Sequence, residues 1–266
     1  MLALACLFLL AAQPLPGPDE TILVRPPEPW ASGPERFFAA TTVDIGFLYL
    51  RPRLSLGYGR PHRDWMGFDF NPIGSLNGAG AYGGVRLSSP FLDIRAGARF
   101  FLPFQRSFLT PRESYGRLDI EDRSGPSAKY VTLEVEATSE IPLGPGELQA
   151  VFSGSLVEGV PDGYWVFEET IRVVLAPPLV WRARLGYLFR FGPRSAITFG
   201  PILEYVRMPG RGEEVWRGGL VTRARLSEAL EVNATFIPVL GSNDRIGIQG
   251  ADFAQLGVRW RWATSY

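Results

Sequence analysis

Arginine and carboxylate side chains recur at alternate positions in several segments of this chain. Groups of this kind on one face of a pore can select anions, as rings of charged residues do in channels. They can equally pair with one another across neighbouring strands. Both kinds of chemistry need the charged groups to share one face. The candidate residues are Arg95, Arg99, Glu134, Glu136, Arg182, Arg184, Arg223, Arg225, Glu231, Arg259 and Arg261.

Evidence for an enzyme or a metal site is thin. His62 is the only histidine, and Ser55 and Asp64 are its nearest candidate partners for a membrane-embedded hydrolase. A lone histidine in a loop is more often solvated than catalytic, so no catalytic residue is predicted. Cys6 is the only cysteine, which excludes a metal site built from histidine and cysteine clusters. No cofactor is predicted.

The overall charge argues against nucleic acid as a partner. The chain carries 27 basic and 27 acidic residues, so no basic field is available for a phosphate backbone. All the basic residues except Lys129 are arginines.

The elements that would position the arginines follow a period of two. Between 91 and 104, apolar residues occupy one face, and Arg95 and Arg99 occupy the other. Turn-forming residues separate such runs at 88–90, 142–147, 176–178, 191–195, 209–214 and 227–229. A soluble sandwich or jelly roll also alternates, but its wet face collects lysine, serine and threonine. Here the second face carries arginine, carboxylates and glycine, and aromatic residues stand near strand ends on the first face. The pattern therefore predicts an all-β, antiparallel, up-and-down transmembrane β-barrel of about 10–12 strands.

The final strand carries a more specific signal. The run QLGVRWRW, from Gln255 to Trp262, resembles the C-terminal recognition signal of bacterial outer-membrane β-barrel proteins. Gln255, Gly257, Trp260 and Trp262 occupy its four defined places, although four more residues follow it. The resemblance implies that the barrel-assembly machinery reads this strand. It also implies that the strand closes the barrel against the first one and that the tryptophans face the lipid bilayer.

The N-terminal part divides into two segments. Residues 1–13 contain a short apolar run followed by small residues and proline, which is typical of a cleaved signal peptide. Residues 14–36 form a proline-rich, extended lead-in, and 37–266 form the barrel. The predicted location is the outer membrane of a Gram-negative bacterium.

The loops do not all fit a simple alternation between the two sides of the membrane. The turns at 191–195 and 227–229 are expected on the periplasmic side, and 209–214 and 238–250 on the outer side. Strict alternation then puts 105–127 on the periplasmic side, although long loops normally face outward. This conflict indicates that one predicted strand between 127 and 240 does not cross the membrane.

Three functions are compatible with these features. The leading hypothesis is a narrow, porin-like pore or channel for a small anionic solute. The alternative is a plugged structural or surface-interaction barrel that acts through loops such as 106–127 and 241–250. The third is a hydrolase that uses His62. A narrow lumen leaves little free space, which favours mutual ion pairing for most of the charged groups.

Overall fold

The computed structural model describes residues 30, 33–46, 49–75, 77–104, 106–192, 196–251 and 257–265. The predicted signal peptide, most of the proline-rich lead-in and Gln255 lie outside these residues.

Twelve antiparallel strands form a closed barrel, which confirms the predicted fold class. In chain order the wall strands are β1 (Arg36–Gly46), β2 (Tyr49–Arg60), β3 (Asp64–Ser75), β4 (Gly78–Ser88), β5 (Leu92–Pro103), β6 (Tyr130–Leu143), β7 (Gly146–Glu158), β10 (Leu179–Phe191), β11 (Ile197–Met208), β12 (Glu213–Arg225), β13 (Leu230–Phe236) and β15 (Gly257–Ala263). The short strand β14 (Val239–Gly241) follows β13 and also pairs with β12.

The barrel closes where its first and last strands meet. β1 pairs with β15 from Ala40–Ala263 to Gly46–Gly257, and β15 pairs on its other side with β13. The start of β1 and the end of β15 therefore lie at the same end of the barrel, here called the terminal end. The opposite end is called the loop end. Closure leaves no strand edge exposed in this part of the wall.

The outer surface of the wall is apolar. Large side chains such as Phe68, Leu133, Leu185 and Leu220 are exposed on it. Among the described wall strands, outward charged residues occur only near the strand ends: Arg60, Asp64, Glu158, Arg207 and Glu214. An apolar band of this kind suits a hydrocarbon environment and would be costly in water.

Aromatic residues are concentrated near both rims of this surface. Trp181, Tyr205 and Trp216 lie close to the loop end on neighbouring strands, with ring centroids 5.2 Å and 4.6 Å apart. Phe37 and Tyr58 form a similar contact at the terminal end, at 5.1 Å. Aromatic rings at both ends of an apolar band are typical of transmembrane barrels.

Two short strands do not belong to the wall. β8 (Val166–Glu168) and β9 (Val173–Leu175) pair only with each other and form a separate two-stranded hairpin between β7 and β10. The chain leaves β7 at the loop end and re-enters β10 at the loop end. This excursion resolves the conflict over the long loop, whose described residues 106–127 lie at the loop end with 209–212 and 242–251. The inference that one predicted strand between 127 and 240 does not cross the membrane agrees with this arrangement, because β8 and β9 lie outside the wall sheet.

The hairpin is buried against the inner wall of the barrel. Val166, Val173 and Leu175 pack in an apolar cluster with inward residues of the wall, including Val180 and Val206. The hairpin thus fills part of the lumen near the loop end.

Two short helices, α1 (Arg117–Glu121) and the 3₁₀ helix η1 (Gly247–Gly250), lie in the loops. Within the described residues, neither these nor any other helix has the length and apolarity needed to cross a membrane.

Candidate functional site: the charged lumen

Most of the predicted lumen residues lie on the inner face in ion pairs. Arg95 and Glu136 stand directly opposite each other on β5 and β6, with 3.1 Å between Nη2 and Oε1. Arg99 reaches Glu134 at 2.9 Å. Antiparallel pairing places such residues side by side on one face of the sheet, so these contacts follow from strand register.

A similar group lies where the barrel closes. Arg259 stands between Asp44 on β1 and Glu231 on β13, at 2.6 Å and 3.6 Å. Arg261 also pairs with Glu231, at 2.9 Å. Arg225 lies at the end of β12 and is exposed.

Other ion pairs join strands that are not neighbours. Arg182 on β10 bonds Glu136 on β6 at 2.9 Å, although β7 lies between the two strands. Arg223 on β12 bonds Glu140 on β6 at 2.8 Å, and β7, β10 and β11 separate these strands. Such a bond can form only across the inside of the barrel. The lumen is therefore spanned by side chains on this side.

The deepest ion pairs hold the hairpin in place. Glu168 of β8 is fully buried, and its Oε1 lies 3.1 Å from Nη2 of Arg99. Its Oε2 accepts backbone N–H bonds from Thr170 and Ile171, at 2.8 Å and 2.7 Å, and so caps the hairpin turn.

Arg217 of β12 provides the second anchor. Its Nη1 bonds the buried carboxylate of Glu204 at 2.5 Å, and its Nη2 donates to the carbonyl oxygens of Ile171 and Arg172. Arg184 also pairs with Glu204. Removing one partner from such a buried group leaves a charge unpaired, which is strongly destabilising.

Two arginines on β2 differ from the rest. Arg51 and Arg53 point into the lumen, on the same face as Ser55, and no carboxylate of the described residues lies within ion-pair distance of either. The Nε atom of each is buried without a hydrogen-bond partner, and Arg51 stacks over Tyr49 at 5.2 Å. The nearby carboxylate of Asp44 is already paired with Arg259.

The sequence did not single out these two residues. Pro52 separates them and obscures the alternation, because proline is unusual within a paired strand. The signal that could have found them is a pair of arginines two residues apart on one face, which β2 shares with β10 and β15.

The long loops close over the loop end through a second apolar cluster. It joins Leu109, Tyr115 and Ile120 to Phe167 of the hairpin and to Ile246. Burial raises the pKa of Tyr115 to about 12. The hairpin and the parts of two other loops that share this cluster are together called the ordered cap.

Arg211 joins the loops at the centre of this cap. Its side chain is fully buried, bonds Asp244 at 2.6 Å and pairs with Glu213 at 2.8 Å. Its guanidinium also stacks over Tyr115 and Trp165, at 5.3 Å and 4.9 Å. Arginine suits this position because its planar fork can stack and form several hydrogen bonds at once.

His62 lies in the turn between β2 and β3, at the terminal end of the barrel. Its Nε2 is 3.0 Å from the carbonyl oxygen of Trp262, and its ring contacts Trp30 edge-on at 5.1 Å. Burial lowers the pKa of His62 to about 4, although the Trp262 carbonyl opposes this shift.

In the structure, the two suggested partners of His62 form hydrogen bonds with other residues. Ser55 donates to Asp69 at 2.5 Å, and Asp64 accepts from Arg60 at 2.9 Å. The arrangement does not form a nucleophile and base pair. Within the described part of the chain, no group of three or more histidine, cysteine or acidic residues could hold a metal ion.

The described residues of the C-terminal motif lie in β15. Trp260 and Trp262 are exposed on the outer surface, and Gly257 lies opposite Gly46 of β1. Gln255 lies outside the described residues.

No protein-family model matches this chain. No curated protein sequence matches it either. One similar solved structure is OmpT with loop L8 deleted, an outer membrane protein of Vibrio cholerae. It has a TM-score of 0.36 and 9% identity, and the match covers 86% of this chain and 99% of that one. The NanC porin gives a TM-score of 0.38 and 10% identity, with 87% and 99% covered. The beta domain of the Bordetella autotransporter Brka gives 0.35 and 13%, with 89% and 100% covered.

Proposed function

We propose that this protein is a narrow channel for small anions in the outer membrane of a Gram-negative bacterium. The observation that carries the proposal is Arg53, a guanidinium on the inner wall with no carboxylate partner among the described residues. Arg53 is half-buried and its Nε is buried without a hydrogen-bond partner, so its charge is available to water or to a passing anion. The other lumen arginines named above, apart from Arg51 and the exposed Arg225, already have acidic partners and attract a solute less.

The proposed path follows the β1–β4 side of the lumen. The hairpin packs against the β5–β12 side, where the cross-lumen bond from Arg223 to Glu140 also lies. Arg51 and Arg53 line the remaining side, and the paired Arg86 and Arg259 lie within electrostatic range of Arg53. A row of fixed positive charges along a narrow path favours anions over cations.

The proposed location rests on the apolar outer band, the aromatic rims and the sequence signals at the two ends of the chain. In this account 1–13 is a signal peptide removed on export, and 14–36 is an extended lead-in. The barrel-assembly machinery would recognise Gln255, Gly257, Trp260 and Trp262.

Ion selectivity tests the proposed function. The refolded chain is placed in a planar bilayer between unequal concentrations of potassium chloride, and the reversal potential is measured. The native protein should show preference for chloride, and Arg53→Gln should shift the reversal potential toward zero. Arg207→Gln is the matched control, because it removes the same charge from the outer face. Equal selectivity in all three proteins, or a folded barrel that does not conduct, would refute the channel.

A surface-interaction barrel is the second candidate. The observation in its favour is the ordered cap, in which three loops share an apolar cluster. If this is the function, deletion of 108–125 should abolish partner binding, whereas Arg53→Gln should have no effect on it.

A further inference from the structure

A cavity of about 500 Å³ lies between β12, β14, the hairpin turn and the loop 242–251. Its volume is within the range of small-molecule sites, roughly 300–1,000 Å³. Its walls are mainly apolar. The apolar lining residues are Val173, Val215, Pro238, Val239, Ile246 and Ile248.

Arg172 supplies an uncompensated charge to this cavity. Its Nη1 donates to the carbonyl oxygen of Ala251 at 2.8 Å, and no carboxylate of the described chain pairs with it. The other buried charges at the cavity have partners, because Arg217 pairs with Glu204 and Asp244 with Arg211. Two arginines that line the cavity therefore remain available to an anion: Arg172 at the hairpin turn and the exposed Arg245, which also has no carboxylate partner among the described residues.

The backbone of Arg172 is strained. It has a φ of +58° at the end of the hairpin turn, a position that favours glycine or asparagine. A larger residue is held in this conformation at a cost in backbone strain. Glycine would relieve this strain, which makes Arg172→Gly a suitable substitution for testing the role of the side chain.

The cavity borders the outer surface of the wall. The regular β12–β13 ladder ends at Leu220–Phe236, and β14 resumes pairing with β12 through a shift in register. Phe236 and Ile248 line the cavity and are 54% and 63% exposed. An apolar chain could thus extend from the cavity along Phe236 and Ile248 toward the apolar exterior.

We propose that this cavity binds a single-chain amphiphile with an anionic head group, of the long-chain carboxylate class. The head group pairs with Arg172, and the apolar chain lies against Val215, Val239 and Ile248. This site is separate from the anion path of the proposed channel, and its occupation does not depend on conduction. Charge complementarity and the continuous apolar wall select this ligand class over a small hydrophilic anion.

The experiment uses dodecanoate labelled with ¹³C at the carboxyl group and the full chain refolded in detergent with an uncharged sugar head group. The native protein should give a saturable bound carboxyl resonance, one per barrel. Arg172→Gly should weaken this binding about tenfold or more, since charge-assisted hydrogen bonds are lost. The same variant should resist unfolding at least as well as the native protein, so lost binding cannot be attributed to misfolding.

Arg63→Gln is the matched control, because Arg63 is an exposed arginine in the β2–β3 turn. It should bind dodecanoate as the native protein does. Two competitors separate the parts of the ligand: acetate retains only the head-group charge, and dodecanol retains only the apolar chain. Neither should displace the labelled ligand. The proposal is overturned if no bound resonance appears, if Arg172→Gly binds within twofold of native, or if either competitor displaces dodecanoate.

Discussion

At the scale of single residues, the lumen arginines are distinguished by their partners. Arg95, Arg99 and Arg259 have a carboxylate on a neighbouring strand, whereas Arg51 and Arg53 have none among the described residues. The first three neutralise acidic groups and fill space. The last two leave a net positive charge on one side of the lumen, which is the side proposed for anions.

Because the pKa of His62 differs between the folded and unfolded chain, we expect the free energy of unfolding to depend on pH. Its folded pKa of about 4 lies below the ordinary value of 6.5, so the unfolded chain binds more protons between these values. The contribution of His62 to stability is therefore complete above pH 6.5 and is lost as the pH falls toward 4. His62→Asn should remove this part of the pH dependence, because asparagine tolerates the φ of +59° and does not titrate.

The measurement is the urea midpoint of unfolding at pH 7 and pH 4.5 for both proteins. The native midpoint should fall more on acidification than that of the variant. Equal falls would show that His62 is not buried as described.

At the scale of elements, the hairpin is held by polar anchors as well as by its apolar packing. Glu168→Gln keeps the shape of the side chain but removes the charge that Arg99 contacts. It should destabilise the hairpin by about 1–3 kcal/mol, while Arg99 keeps Glu134 as a partner. Hydrogen exchange should therefore accelerate over 166–175 and remain unchanged in β5 and β6.

Glu228→Gln provides the control, because Glu228 is exposed in a turn at the terminal end. Unchanged exchange at 166–175 in Glu168→Gln would show that apolar packing alone holds the hairpin.

The wall strands were predictable from sequence, and the hairpin was not. A wall strand faces lipid on one side and the lumen on the other, so β5, β6 and β10 alternate strictly. In contrast, β8 and β9 are buried on both sides, and their short apolar runs lack a period. Adjacent pairs such as Arg95–Glu136 follow from alternation. The bond from Arg223 to Glu140 depends on barrel closure, which sequence alone does not reveal.

At the scale of the whole molecule, β15 closes the barrel between β1 and β13, and we propose that it also directs insertion. Replacing Trp260 and Trp262 with alanine should impair insertion in cells, because the proposed assembly signal and two outer aromatic rings are lost together. The amount of heat-modifiable barrel in outer-membrane fractions measures this effect.

Trp216→Ala is the comparison, since Trp216 is also an outer aromatic residue but lies on β12. It should reduce insertion much less. If the two changes reduce insertion equally, β15 carries no special signal, and only the apolar surface matters.

The central claim is that one side of the lumen is open to solute and the other is filled by the hairpin. Its most direct test is single-channel recording of Arg53→Cys and Val206→Cys, each in the chain without residues 1–13 and hence without Cys6, with a negatively charged thiol reagent. The current through Arg53→Cys should fall on modification. Val206 is fully buried beneath the hairpin, so current through Val206→Cys should not change. A silent barrel, or equal modification at both positions, would contradict the account.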